Sequence, residues 1–316
     1  MDAFALGANL PWLRYGCDVG ANAWQPRGGL ATRGVPPEVD ATLTSLAGAG
    51  ASIVRWFLFC DGRAGIVFDD AGWPAGLDAF VFADLDAAVA LARRTGVRVV
   101  FTLFDFLWCR RSRLVDGVRI GGHRRVLTHA PGRTALLDRV VAPVLRRYGA
   151  EPAIAAWDVI NEPDWVTRGM GARNPFAAVG RDAMRAFVGD TASLVRALTT
   201  QPVTVGSARA RGLELVRGLG LDFYQVHWYD RFERRHPIAT PVHELGLDRP
   251  VVLGELPTCG SRRDAAWLIA AARRAGYAGA WLWSLYAEDG STDGRRAADA
   301  LRDVSSASRD PASDAP

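Results

Sequence analysis

Eight short apolar runs, most of them followed by a stretch with helical spacing, do most to constrain how this 316-residue chain can fold. The runs are read as strands at Tyr15–Trp24, Ile53–Phe59, Val97–Phe104, Ile154–Ile160, Val203–Val205, Asp222–Trp228, Val251–Gly254 and Ala278–Ser284. Between and after them, helices are expected at Pro37–Ala49, Asp84–Thr95, Gly132–Tyr148, Val179–Leu198, Gly212–Leu219, Pro241–Leu245, Arg262–Ala275 and Gly294–Val304. Strands that are apolar on both faces and alternate with helices belong to a parallel sheet. Eight such units match the closed (β/α)8 TIM barrel, whose active sites are built at the carboxyl ends of the strands. An open doubly wound sheet fits less well, because no glycine fingerprint for a nucleotide follows the first strand. The expected organisation is one domain over residues 1–304, with Ser305–Pro316 a disordered tail of Ser, Ala, Asp and Pro.

Composition sets limits on partners. With 38 basic and 34 acidic residues the formal charge is only +4, and 49% of residues are apolar. The runs Arg110-Arg111-Ser112-Arg113 and Arg234-Arg235-His236 can attract an anion, but they read first as solvated loop charge, and no nucleic-acid motif accompanies them. No run is long and apolar enough for a membrane span. No basic, apolar, small-residue leader is visible, so the chain reads as cytoplasmic. Cys17, Cys60, Cys109 and Cys259 lack metal or redox spacing; four free thiols are expected, with a Cys60–Cys109 bridge the alternative. The histidines show no metal-ligand spacing either, and neither metal nor cofactor is expected.

Two glutamates carry the chemistry. Glu162 closes Ile-Ala-Ala-Trp-Asp-Val-Ile-Asn-Glu-Pro and Glu255 closes Val-Val-Leu-Gly-Glu, at the ends of the fourth and seventh strands. Two carboxylates facing one pocket can cleave a glycosidic bond, one protonating the leaving oxygen and one attacking the anomeric carbon. Pro163 is expected to hold Glu162 in extended backbone. Asn161 offers an amide to a sugar hydroxyl. His227 and Tyr229 are two apart and so lie on one side of the sixth strand, where the tyrosine hydroxyl can reach the strand-seven carboxylate. Arg55 is a charge inside an apolar run and needs a partner, Glu255 or alternatively Asp18 or another acid. Trp283, near the end of strand eight, is the expected floor for a pyranose ring. Trp24, Asp105, Trp108 and Trp165 are placed at the same mouth.

Taken together, Trp-Asp-Val-Ile-Asn-Glu-Pro at 157–163, His-Trp-Tyr at 227–229, Leu-Gly-Glu at 253–255, Val-Arg-Trp at 54–56 and Trp-Leu-Trp-Ser at 281–284 resemble the clan A glycoside hydrolases, most closely family 5, the cellulase and β-mannanase group. The resemblance implies a TIM barrel, no cofactor, a carbohydrate substrate of the β-linked mannan or glucan type, and double displacement with retention. It implies Glu162 as acid/base and Glu255 as nucleophile, with Arg55, Asn161, His227, Tyr229 and Trp283 around them. It leaves endo-acting hydrolysis, exo-acting β-mannosidase or β-glucosidase activity, and a non-catalytic carbohydrate-binding barrel as alternatives. Many family members carry a histidine near the end of strand three; here Phe-Thr-Leu-Phe-Asp-Phe-Leu-Trp stands at 101–108, so Asp105 or His123 from the following loop is expected in that space.

Overall fold

The computed structural model describes residues 4–307 except 173, 175, 234 and 288. Eight parallel strands close a barrel: β1 Ala5–Asn9, β2 Ile53–Phe57, β3 Arg98–Asp105, β4 Ile154–Asn161, β5 Val203–Ser207, β6 Tyr224–His227, β7 Val251–Pro257 and β8 Gly279–Trp283. Each pairs with its neighbours in sequence, and β1 closes the ring on β8 through Ala5↔Gly279 to Ala8↔Leu282. Closure removes both sheet edges and gathers all the carboxyl ends on one rim.

The first strand is not where periodicity placed it. Tyr15–Trp24 is a loop organised by buried Asp18, whose carboxylate accepts from the backbone N–H of Leu13 at 2.6 Å and Arg14 at 2.9 Å and from the Trp56 indole at 3.0 Å. A local carboxylate that satisfies backbone donors competes with strand pairing. The strand is instead Ala-Leu-Gly-Ala-Asn, which lacks the β-branched signal yet suits close packing: a Cβ on Gly7 would lie 2.4 Å from the Ile53 carbonyl oxygen.

Helices pack outside the strands. Val81–Thr95 starts three residues before its expected beginning and ends on Gly96 at φ 80°, the left-handed cap that glycine adopts without steric cost. Asp84 is buried on this helix and holds the first loop by accepting from Gly20, Gly29 and Ala31 N–H at 2.8 to 2.9 Å. The segment expected as one helix to Tyr148 is Ala130–Leu136 and Ala142–Tyr148 joined by the π-helical turn Leu137–Val141. Arg181–Leu198 buries Met184, Phe187, Val188, Thr191, Ala192 and Val195, the one-sided stripe of an amphipathic helix. No helix among the described residues is long and apolar enough to cross a membrane. The last helix runs over Gly294–Ala307, into the expected tail; the remainder of that tail lies outside the described residues. All four cysteines are free, so no Cys60–Cys109 bridge forms.

The main apolar core fills the space between barrel and helices, and a smaller one plugs the barrel's amino-terminal half with Ile53, Val100, Ala156, Phe223, Val252 and Trp281. Fully burying each large side chain contributes about 1.5–3 kcal/mol. At the opposite end the long connections gather, including the hairpins Ile66–Phe68 with Pro74–Leu77 and Arg113–Val115 with Val118–Ile120. The polar residues therefore sit on the rim where a barrel builds its site.

Candidate active site

Arg55 is the hub of the upper barrel. It is completely buried, and its guanidinium donates to Asp158 Oδ2 through Nε at 2.9 Å and Nη2 at 2.7 Å, to Glu255 Oε1 at 2.9 Å, to Asn161 Oδ1 at 2.8 Å and to Asn9 Oδ1 at 3.2 Å. Burial works against its charge, but Asp158 and Glu255 more than offset that, and its pKa is raised. Asp18, the alternative partner, pairs with Arg33 instead. Gly206 on β5 keeps the space open: a Cβ there would meet His227 Nε2 at 2.7 Å and Arg55 Nη2 at 2.9 Å.

Above this hub stand the two glutamates. Glu255 takes Arg55 on Oε1 and the Tyr229 hydroxyl on Oε2 at 2.8 Å. Glu162 Oε2 accepts from the Trp165 indole N–H at 2.9 Å, and Oε1 lies 2.9 Å from His227 Nδ1, which is 3.3 Å from Glu255 Oε1. His227 Nε2 is buried without a partner, which assigns the proton to Nδ1, because an orphaned donor costs more than an empty acceptor. One oxygen from each glutamate and His227 Nδ1 all lie within 4.8 Å of one another. These are three metal-type donors, but a divalent cation there would face the Arg55 guanidinium already seated on Glu255.

Glu162 departs from expectation in its backbone. Its φ of 48° and ψ of 49° are left-handed, not extended. Pro163 disfavours the right-handed helical region but does not select the strand alone. The Glu162 N–H is held by the Gly206 carbonyl at 2.7 Å, and its own carbonyl accepts from Trp165 N–H at 3.1 Å. A non-glycine residue pays on the order of 1–3 kcal/mol for such a conformation.

Electrostatics follow from burial. Burial pushes the Glu162 carboxyl up to about 7, against the pull of Arg55 and the Trp165 N–H. Burial likewise lifts Glu255 to about 7; His227, Arg55 and Tyr229 oppose the rise and Glu162 adds to it. Glu255 alone has a guanidinium and a hydroxyl in direct contact, so a proton shared by the pair rests on Glu162. Burial lowers His227 to about 4, which keeps its ring neutral.

These groups border or underlie a cavity of about 320 Å³, whose walls include Trp12, Tyr15, Phe57, Asp105, Trp165 and Trp283. Trp283 packs edge-on to Trp12 at 5.8 Å, and its N–H donates to Asp289 at 2.7 Å. Asp105 accepts from the Tyr15 hydroxyl at 3.0 Å and from Leu107 N–H at 3.1 Å, and burial raises it to about 7. The strand-three end thus presents Asp105, whereas His123 stacks on Phe68 at 4.4 Å behind the site. Trp108 and Trp24 also fall elsewhere. Trp108 is fully buried against Phe104 and His123, because the turn Phe106–Cys109 directs it into the outer core. Trp24 lies in the Asp18 loop with the Arg63 guanidinium 5.6 Å above its ring.

Sequence reading missed Asp158 as the principal partner of Arg55 and Trp165 as a donor to Glu162. Asp158 had a signal, since it stands two residues after Ala156 and so on the same face of β4. Asn9 was missed because the first strand was misplaced.

No protein-family model matches the chain. A mannan endo-1,4-beta-mannosidase of Mytilus edulis is 26% identical over 320 aligned positions, covering 89% of this chain and 83% of that protein. One of Cryptopygus antarcticus is 20% identical over 89% of this chain and 80% of its own length. Among solved structures, the endo-1,4-beta-mannanase of Eisenia fetida superposes with a TM-score of 0.77 at 21% identity, covering 95% of this chain and 90% of that one. The fold is common to both.

Proposed function

We infer that the chain is a retaining β-glycoside hydrolase of clan A, most like family 5, and propose that it cleaves β-1,4-linked mannan within the polymer. The observation that carries this reading is the approach of Glu162 and Glu255 oxygens to within 4.8 Å. Retaining pairs stand about 5–5.5 Å apart, while inverting pairs leave about 6.5–9.5 Å for a water. The mannan-cleaving relatives support the substrate class.

In the proposed reaction Glu255, anionic between Arg55 and Tyr229, attacks the anomeric carbon as Glu162 gives its proton to the departing oxygen. The Arg55 guanidinium and Tyr229 hydroxyl keep Glu255 aimed. Glu162, now ionised, takes a proton from water as the water oxygen bonds to the anomeric carbon and the bond to Glu255 breaks, which leaves Glu162 protonated and Glu255 a free carboxylate. Asn161 is fixed through its Oδ1 by Arg55, which leaves its amide N–H groups to donate to a sugar hydroxyl near the reacting carbon. Trp283 supplies an apolar face beneath the ring, and Asp105 accepts from its hydroxyls. Double displacement draws on no cofactor. An internal cut is favoured over exo action by the likeness to the endo-acting mannanases. The four unpaired cysteines support action in a reducing compartment.

A hydrolysis screen over mannan, β-glucans, xylan and aryl β-glycosides tests the reading. Internal shortening of mannan is expected. Release of single sugars from chain ends, or turnover of β-glucan alone, would replace it.

A further inference from the structure

Past Trp165 the catalytic cavity opens into a groove of about 500 Å³, and the two share Phe106, Trp165 and Phe232. Trp165 is the donor to Glu162, and neither Glu255 nor its partners Arg55 and Tyr229 border this groove. On the function proposed above, from which this inference follows, it is therefore where the sugars of the leaving group lie.

The groove is basic in an unusual way. Each shared ring has a guanidinium over it: Arg110, which lines the groove, lies 5.2 Å from Phe106, Arg209 lies 4.7 Å from Trp165, and Arg231, which lines the catalytic cavity, lies 4.6 Å from Phe232. Arg111 adjoins Arg110 on the same wall. Among the described residues none of these four arginines stands in a direct ion pair, although the Arg209 charge acts on the buried carboxyls of Glu162 and Asp164, and no aspartate or glutamate borders the groove. Arg231 donates to Ser291 Oγ at 2.8 Å, whereas the buried Nε of Arg209 has no hydrogen-bond partner. Arg209 Nη2 reaches the groove wall, where a Cβ on Gly171 would lie 3.1 Å from it.

A ring face covered by a guanidinium is not free to stack on a pyranose. What remains is a set of fork-shaped N–H donors, with Asn174 the one lining side chain that can accept and its Oδ1 already facing the Phe176 N–H. Neutral hydroxyls use such donors only singly, while a carboxylate takes them in pairs. We propose that this groove binds leaving-group sugars that carry a carboxylate, so that among β-1,4-mannan chains those bearing an acid group on the leaving side are preferred over neutral ones. The acidic side of the cavity, with Asp105 and Asp289, holds the neutral sugars.

The test compares two probes with the same open terminus: mannopentaose oxidised at its reducing end to the aldonate, and mannopentaose reduced there to the alditol. At low salt the aldonate should show kcat/KM about tenfold above the alditol. That preference should shrink in about 0.5 M sodium chloride, since exposed charges are screened. Arg110→Ala/Arg111→Ala and Arg209→Gln should each bring the aldonate toward the alditol value. Equal kcat/KM for the two probes at low salt would overturn the proposal even if mannan is cleaved. Should neither probe nor mannan be hydrolysed, the hydrolase reading falls instead, and calorimetric affinities of the two probes decide the groove by the same tenfold criterion.

Discussion

Inside the barrel, Ile53, Val100, Ala156, Phe223, Val252 and Trp281 close the amino-terminal half with an apolar layer. Two residues further along the same strands, Arg55, Thr102, Asp158 and Gln225 are just as buried and wholly polar. Strand periodicity makes this possible, because alternate residues face the same side. The lower layer can be held by dispersion and the hydrophobic effect without specific partners. The upper layer exists only because each charge has a named partner, and removing one leaves the other stranded. One barrel therefore carries a layer that supplies stability and a layer that spends it on geometry.

The largest expected effect is on the polar side. Glu255→Gln should lower kcat on the order of 10⁴-fold or more. Glu162→Gln should cost about 10²–10⁴-fold on mannan and much less on aryl glycosides whose leaving group needs no proton. Steady-state kinetics on both substrates separates the two roles, and equal losses on the aryl substrate would break the assignment of Glu162. Next comes Arg55→Met, which leaves Asp158 and Glu255 buried and unpaired; urea denaturation should show about 3–5 kcal/mol of lost stability.

A smaller and opposite effect is expected from pH. Both glutamates have their carboxyl pKa raised from the ordinary 4.5 to about 7. The folded chain thus favours their protonated forms. Stability from this source is complete below about 4.5 and is lost as pH rises through about 7. Glu162→Gln should flatten that slope and make the protein about 1–3 kcal/mol more stable at pH 8, read from denaturant midpoints across pH. A steeper slope in the variant would contradict the burial account. The smallest change belongs to the lower layer: Ile53→Val should cost about 0.5–1.5 kcal/mol and leave kcat unchanged.

The two layers also differed in how far the sequence revealed them. The barrel was legible because seven of the eight strands carry apolar runs, and the strand-end positions of Glu162 and Glu255 followed from the unit count. β1 was not, since its small residues matter only against Ile53 on the neighbouring strand β2. Arg55 stood out as a charge in an apolar run, yet its principal partner Asp158 lies 103 residues away, and periodicity reports burial without angular position around a barrel. The same gap explains Trp108 and His123, whose loop turns them behind β3, and the left-handed backbone of Glu162, fixed by the Gly206 carbonyl rather than by Pro163. Local sequence patterns thus name the residues of the polar layer more readily than their pairings.

The central claim is that Glu162 and Glu255 act on the two sides of one anomeric carbon in successive displacements. Proton NMR of the anomeric region during the first moments of manno-oligosaccharide hydrolysis tests it most directly. The β-anomer should appear first and the α-anomer only later, by mutarotation. An α-anomer formed first would mean a single displacement by water and would contradict the assignment of Glu255 as nucleophile.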